Sequence, residues 1–171
     1  KIYEYLKYLK KKKITKKIGI SIYETRNIDI ILKRYKFDII QAPYSIFDRR
    51  IEKYFKILKK NKIKIYARSI FLQGLLLMPL KDIDNYFRKW KSNFELLEKF
   101  TKKKQISKLE LCLSFVLKSK YIDKVIIGIQ SLSQLKDIVS CEIKNKIIVP
   151  KFLKVYDKKL IYPFNWVLKK I

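Results

Sequence analysis

The chain has 171 residues, 49% of them hydrophobic, and its 42 Lys and Arg against 15 Asp and Glu give a formal net charge of +27. That size and apolar content, with 24 aromatic residues, exclude a disordered chain and fit one domain with a real core. Histidine is absent, which excludes histidine catalysis and histidine metal sites within the chain; the two distant cysteines, Cys112 and Cys141, make neither a disulfide framework nor a zinc cluster.

The chain begins with Lys1 rather than Met. Ile2, Tyr5, Leu6 and Leu9 recur at helical spacing, which predicts a helix over 1–13. A strand is expected over 14–22, with Gly19 inside it. Asn27 is placed to cap a helix over 28–35, whose apolar stripe is Ile28, Ile31, Leu32 and Tyr35. A second strand covers 37–42, and Asp48 precedes a helix over 49–60. The third strand, 62–67, runs into a neutral stretch, 65–80, whose single charge is Arg68. That stretch is too short and too polar to span a bilayer. A helical pattern follows over 81–103, and Ser107 is placed to cap another helix over 108–118, where Cys112 reads as a buried thiol. A fourth strand is expected over 125–129. Ser131 and Gln134 stand at capping-box spacing before a last helix, and the tail after Pro150 reads as short and irregular.

The order is therefore a helix and then four β-α units. Strands that alternate with helices pair in parallel through right-handed crossovers, and Ile-rich strands of this kind are expected to be buried on both faces. Four such units make half of an eight-fold barrel or a small open sheet. A chain that opens on a helix looks like one cut after the strand that should precede it. The three glycines, Gly19, Gly74 and Gly128, fall in or just after strands; close packing is the reading for Gly19, while for Gly128 packing and backbone approach to a ligand both stay open.

Four segments, taken together, resemble the aldo/keto reductase family. Lys17-Ile-Gly-Ile-Ser-Ile-Tyr23 resembles the family's fifth strand, and Phe37-Asp-Ile-Ile-Gln-Ala-Pro-Tyr44, followed by Arg49 and Arg50, resembles the sixth. Tyr66-Ala-Arg-Ser-Ile-Phe-Leu-Gln-Gly-Leu-Leu76 resembles the seventh, and Val125-Ile-Ile-Gly-Ile-Gln-Ser-Leu-Ser-Gln-Leu135 the eighth. Ile161-Tyr-Pro-Phe-Asn-Trp166 is similar to the family's closing motif. Their order and spacing carry the resemblance across nearly the whole chain.

The resemblance implies a (β/α)8 TIM barrel that transfers a hydride between a nicotinamide cofactor, NADP or NAD, and a carbonyl or alcohol substrate. The family's catalytic Asp, Tyr, Lys and His come from its first four strands. Residues 1–171 would then be one partial domain, the C-terminal half, inactive alone but holding most of the cofactor site. By motif, Ser21 and Gln41 would bond the nicotinamide carboxamide. Arg68 stands where many members stack a tyrosine on the nicotinamide, and Ile22 where many carry Asn. Ser69, Phe71, Gln73 and Gly74 would line the pyrophosphate side. Gly128, Gln130 and Ser131 would meet the cofactor's phosphate at a helix N-terminus, and Gln134 and Asp137 would lie near the adenosine. Gln134 matches the position of the family's frequent 2′-phosphate-binding Arg. From the residues alone, Ser21 and Gln41 also read as strand-end groups that satisfy loop backbone, and Ser131 and Gln134 as caps.

Two other functions stay in view. A non-catalytic half-barrel would expose strand edges that favour self-association. A Lys-rich nucleic-acid-binding module would use the charge, but six Arg among 42 basic residues, spread along every predicted element, point to a solvated surface with no specific nucleic-acid partner. With no signal peptide and no membrane span in view, a cytoplasmic protein is expected.

Overall fold

Four short strands set the architecture: β1 (Gly19–Ser21), β2 (Ile39–Pro43), β3 (Lys64–Arg68) and β4 (Lys124–Val125). They form one parallel sheet in the order β1-β2-β3-β4. Each parallel step needs a crossover, and helices supply it: α2 (Asn27–Arg34), then α3 (Phe55–Lys60), then α4 (Lys91–Lys104) with α5 (Lys108–Leu117). The helix α1 (Ile2–Lys11) precedes the sheet, α6 (Leu132–Val139) follows it, and α7 (Lys158–Ile161) lies in the tail. The computed structural model describes residues 1–143 and 147–167. Consecutive strands in unbroken spatial order, joined by helices, are the arrangement of about half a (β/α)8 barrel.

The sheet is buried on one face, not two. Ile40, Ala42, Ile65 and Ala67 are wholly buried, in one core with Ile28, Leu58, Leu111 and Val116 from the crossover helices. The other face carries Gly19, Ser21, Gln41, Tyr66 and Lys124, all exposed or half-buried. In a closed barrel that face looks into the lumen; among the described residues no opposite wall covers it.

The core is densest in the middle of the chain. Phe47, fully buried, meets Phe94 at 5.5 Å, Tyr44 meets Phe115 at 4.9 Å, and Phe55 stacks on Tyr121 at 4.7 Å. Burying side chains of this size contributes about 2–3 kcal/mol each relative to exposure. Cys112 is buried as the sequence implies, and burial pushes its thiol up to about 12. The flanks differ: neither α1 nor α6 buries a residue.

Element boundaries depart from the sequence reading where neighbours decide. The first strand shrinks to Gly19–Ser21 because its one partner, β2, begins at Ile39 opposite Gly19. Asn27 does not cap α2: Arg26 holds the cap position, and the N–H groups of Asn27 and Ile28 already donate to the carbonyls of Glu24 and Thr25. The expected helix over 81–103 is broken. Asp84 accepts from the Tyr86 N–H at 2.7 Å and starts a 3-10 turn over Asn85–Trp90 before α4. The fourth strand keeps two residues because it is a sheet edge with a single partner.

The tail is not irregular. It forms a 3-10 turn at Lys151–Leu153, then α7, then Pro163–Asn165; its last residues, 168–171, lie outside the described ones. Leu153, Leu160, Ile161 and Tyr162 are buried. Two arginines hold this tail. Buried Arg49 donates to the carbonyls of Ile46 at 2.9 Å and Pro150 at 3.0 Å. Arg50 pairs with buried Asp48 at 2.6 Å, donates to the Tyr162 hydroxyl and lies over that ring at 4.3 Å.

Candidate functional site

The site grows from the loop that leaves β3. Ser69, Leu72, Gln73 and Gly74 all adopt positive φ, and only Gly74 does so without a side-chain penalty. A left-handed leucine costs about 1–2 kcal/mol. Burial offsets it: Ile70, Phe71, Leu72, Leu75 and Leu76 are at most 9% exposed, so the loop is fastened by its apolar side chains. The turn is closed by N–H donation from Leu72 to Ser69 and from Leu77 to Gly74, each at 2.9 Å. What remains facing outward is Ser69, Gln73 and the Gly74 backbone.

These residues form one wall of a cleft of about 560 Å³, within the size range of small-ligand sites. The opposite wall comes from the residues after β4, Gly128 and Gln130, and from one side of α6, Gln134 and Asp137. Gln134 and Asp137 are three apart, so they share a helix face. The apolar lining is Ile126, Ile127 and Ile129, with Leu109 of α5 and Ile138 of α6.

Helix α6, with its cap Ser131, begins directly after the lining residue Gln130. Ser131 Oγ accepts from the Gln134 N–H at 3.2 Å and fixes the first turn. Gln134 Oε1 accepts from the N–H of Gln130 at 2.9 Å rather than from Ser131, one residue outside the capping box expected from spacing. The first-turn N–H groups and the helix dipole favour an anion at this end.

Arg68 sits at the cleft's β3 end and is held in place. Its guanidinium lies 4.0 Å over the Tyr23 ring, and it donates to the Ile22 carbonyl and to Ser69 Oγ, each at 3.2 Å. Tyr23 meets Tyr162 at 6.5 Å and Phe164 at 5.4 Å, so the tail supports it. Tyr162 is itself shifted: burial, then its bond with Glu24, pushes the phenol up to about 12.

Of the residues expected from motif, Arg68, Ser69, Phe71, Gln73 and Gly74 come together with Gly128, Gln130, Gln134 and Asp137 in the one cleft. Ser131 serves as the α6 cap. Ser21 and Gln41 lie outside the cleft, in register on adjacent strands and hydrogen-bonded to each other at 3.3 Å on the open sheet face. Sequence reasoning passed over Tyr23 as the platform of Arg68 and over Leu109 and Ile138 in the lining. Tyr23 ends the Lys17–Tyr23 motif, so its signal was present; Leu109 and Ile138 are apolar residues of α5 and α6 with no motif to mark them. Among the described residues, no group of acidic side chains and cysteines could hold a metal ion, and no helix is long and apolar enough to cross a membrane.

The model of the Aldo/keto reductase family matches residues 1–147. The "Uncharacterized oxidoreductase YqkF" of Bacillus subtilis (strain 168) is 27% identical over 140 residues, covering 75% of this chain and 45% of that protein. The aldo-keto reductase AKR11C1 from Bacillus halodurans shares the fold at 24% identity, with TM-scores of 0.69 in its holo form and 0.70 in its apo form. Either form is matched by 85% of this chain, over 51% and 52% of its own length. The chain thus spans about half the length of these relatives.

Proposed function

The chain belongs to the aldo/keto reductase family, whose members are oxidoreductases, and from that premise we propose that it carries the nicotinamide-dinucleotide site of a cytoplasmic reductase acting on small carbonyl substrates. The observation that carries this is the convergence of the β3 loop and the β4–α6 segment on a single cleft. When bound, the cofactor supplies or accepts the hydride. The protein's share is to hold and orient it.

The residues present fit such a group. Backbone and the α6 N-terminus suit a pyrophosphate, and the isoleucine lining suits a flat base. Ser21, at the C-terminal end of β1, with Gln41 beside it in β2, stands where barrel enzymes place substrate-facing groups. Arg68, fixed over Tyr23, offers a planar cation at the same mouth. In this reading residues 1–171 are the C-terminal half of the barrel and a front half supplies the acid–base residues, so the chain by itself binds dinucleotide but does not reduce carbonyls.

Gly128 provides a test that spares the fold, because a Cβ there meets nothing within 4 Å. Gly128→Phe therefore fills the cleft rather than the core. Fluorescence titration with reduced dinucleotide should show saturable binding to the native chain and at least about tenfold weaker binding to Gly128→Phe. Equal binding by both contradicts the assignment.

Assembly through the flanks is a second reading, favoured by the bare faces of α1 and α6. It requires self-association that grows with concentration in sedimentation.

A further inference from the structure

We propose that Tyr162 and Phe164 of the tail are positioning residues: acting through Tyr23, they preset Arg68 at the mouth of the cleft. The binding part of its test rests on the cofactor reading above. Arg68 lines the cleft, yet most of what holds it lies elsewhere. One face of its guanidinium lies on the Tyr23 ring, and two of its N–H groups donate to the Ile22 carbonyl and to Ser69 Oγ. Tyr23 and Ile22 both stand in the short segment between β1 and α2.

Tyr23 is 48% exposed, and an exposed ring turns freely unless something packs on it. The tail supplies that packing. Phe164 meets the edges of Tyr23 at 5.4 Å and of Tyr162 at 5.0 Å, and Tyr162 lies nearly parallel to Tyr23 at 6.5 Å. The Tyr162 hydroxyl donates to the Tyr23 carbonyl at 3.5 Å, and Lys158 pairs with Glu24 at 2.7 Å. Tyr162 itself rests against Arg50, whose carboxylate partner Asp48 is buried. Arg50, Tyr162, Tyr23 and Arg68 thus form a column from the core to the cleft mouth. An arginine fixed in advance loses little rotamer freedom when a ligand meets it, whereas a loose one loses much. None of Tyr23, Tyr162 and Phe164 lines the cleft. Loosening the tail should therefore weaken a ligand that uses Arg68 while leaving the cleft walls as they are.

The test reads Arg68 itself, by NMR of its Nε–H group in the full chain. That resonance should carry a ring-current displacement from Tyr23, which Tyr23→Leu removes and Tyr23→Phe keeps. Phe164→Ala should reduce the displacement, and Tyr162→Leu should reduce it further. Phe164 is 66% exposed, so Phe164→Ala should leave the circular dichroism spectrum unchanged, which keeps the test informative where Tyr162→Leu fails to fold. Titration with NADH then measures the consequence. Phe164→Ala should weaken binding about threefold to tenfold, and should weaken it no further in an Arg68→Met background. A resonance unmoved by Phe164→Ala, or equal weakening with and without Arg68, overturns the proposal and leaves the cofactor site standing. Absence of NADH binding by the native chain overturns the cofactor reading, and the resonance alone then decides the positioning.

Discussion

Phe47 and Ile65, in the middle of the chain, are wholly buried, whereas Leu132 and Val139 on α6 stand 66% and 76% exposed and Ile2 on α1 stands 81% exposed. Both regions are rich in isoleucine and leucine, and both fold into regular elements. The middle has a second layer to pack on, since α3 and α5 close over β2 and β3. The flanks are held more lightly: Tyr3 of α1 meets Tyr35 at 4.9 Å and Phe37 at 5.2 Å, and Ile138 of α6 packs against the core, but neither helix buries a residue. The difference teaches that helical patterning alone does not set burial: it takes a second layer to pack on. It also locates the cleft, which forms at the border of the two regions, with one wall fastened in the core and the other on the lightly held α6.

The sharpest way to break this comparison is a truncation in the middle. Phe47→Ala should cost about 3–5 kcal/mol in urea unfolding, because the cavity left among Phe94 and the tail cannot collapse. Leu135→Ala on α6 should cost less than about 0.5 kcal/mol in the same assay. Equal losses would mean that the flank is packed in solution.

Arg50→Met probes the seam between core and tail. It leaves Asp48, 1% exposed, as an unpaired buried carboxylate, and about 3 kcal/mol should be lost. Asp48→Asn combined with Arg50→Met should recover part of that, which chemical unfolding of the double variant checks.

Glycine gives a smaller contrast. A Cβ on Gly19 would lie 2.7 Å from the Ile39 carbonyl oxygen, so Gly19→Ala forces backbone apart and should cost about 1–3 kcal/mol. Gly128→Ala, with open space around it, should leave thermal stability unchanged or slightly raised. Calorimetry of the two variants orders them.

The smallest effect concerns pH. Tyr162 ionises at about 12 in the fold against an ordinary 10.0, chiefly through burial and then through its bond with Glu24. A folded value above the unfolded one stabilises fully below pH 10 and is lost as pH rises toward 12. Tyr162→Phe removes that ionisation, so its melting temperature should fall less steeply than the native chain's over this interval.

The β-α order is legible in the sequence, and so are the polar residues that line the cleft. Ser69, Gln73, Gly74, Gly128 and Gln134 are polar or small residues inside Ile- and Leu-rich runs, and such interruptions survive in sequence as a visible break. Three things were not legible. The exposed inner face of the sheet depends on what packs across it, which strand composition does not reveal. The role of the tail depends on Arg49 and Arg50, whose partners lie about 100 positions away. The broken helix before α4 follows from one Asp84 side chain outcompeting a good helical pattern. Ser21 ends β1 while Gln41 lies mid-strand in β2, and the two bond each other outside the cleft, which motif spacing does not reveal.

The central claim is that the dinucleotide meets this chain where the fastened loop faces α6. Amide chemical-shift mapping with NADH tests it most directly. The account predicts saturable shifts concentrated in residues 68–77 and 126–138, with the core around Phe47 silent. Shifts scattered over the lysine surface and abolished by salt, or none at all, would contradict it.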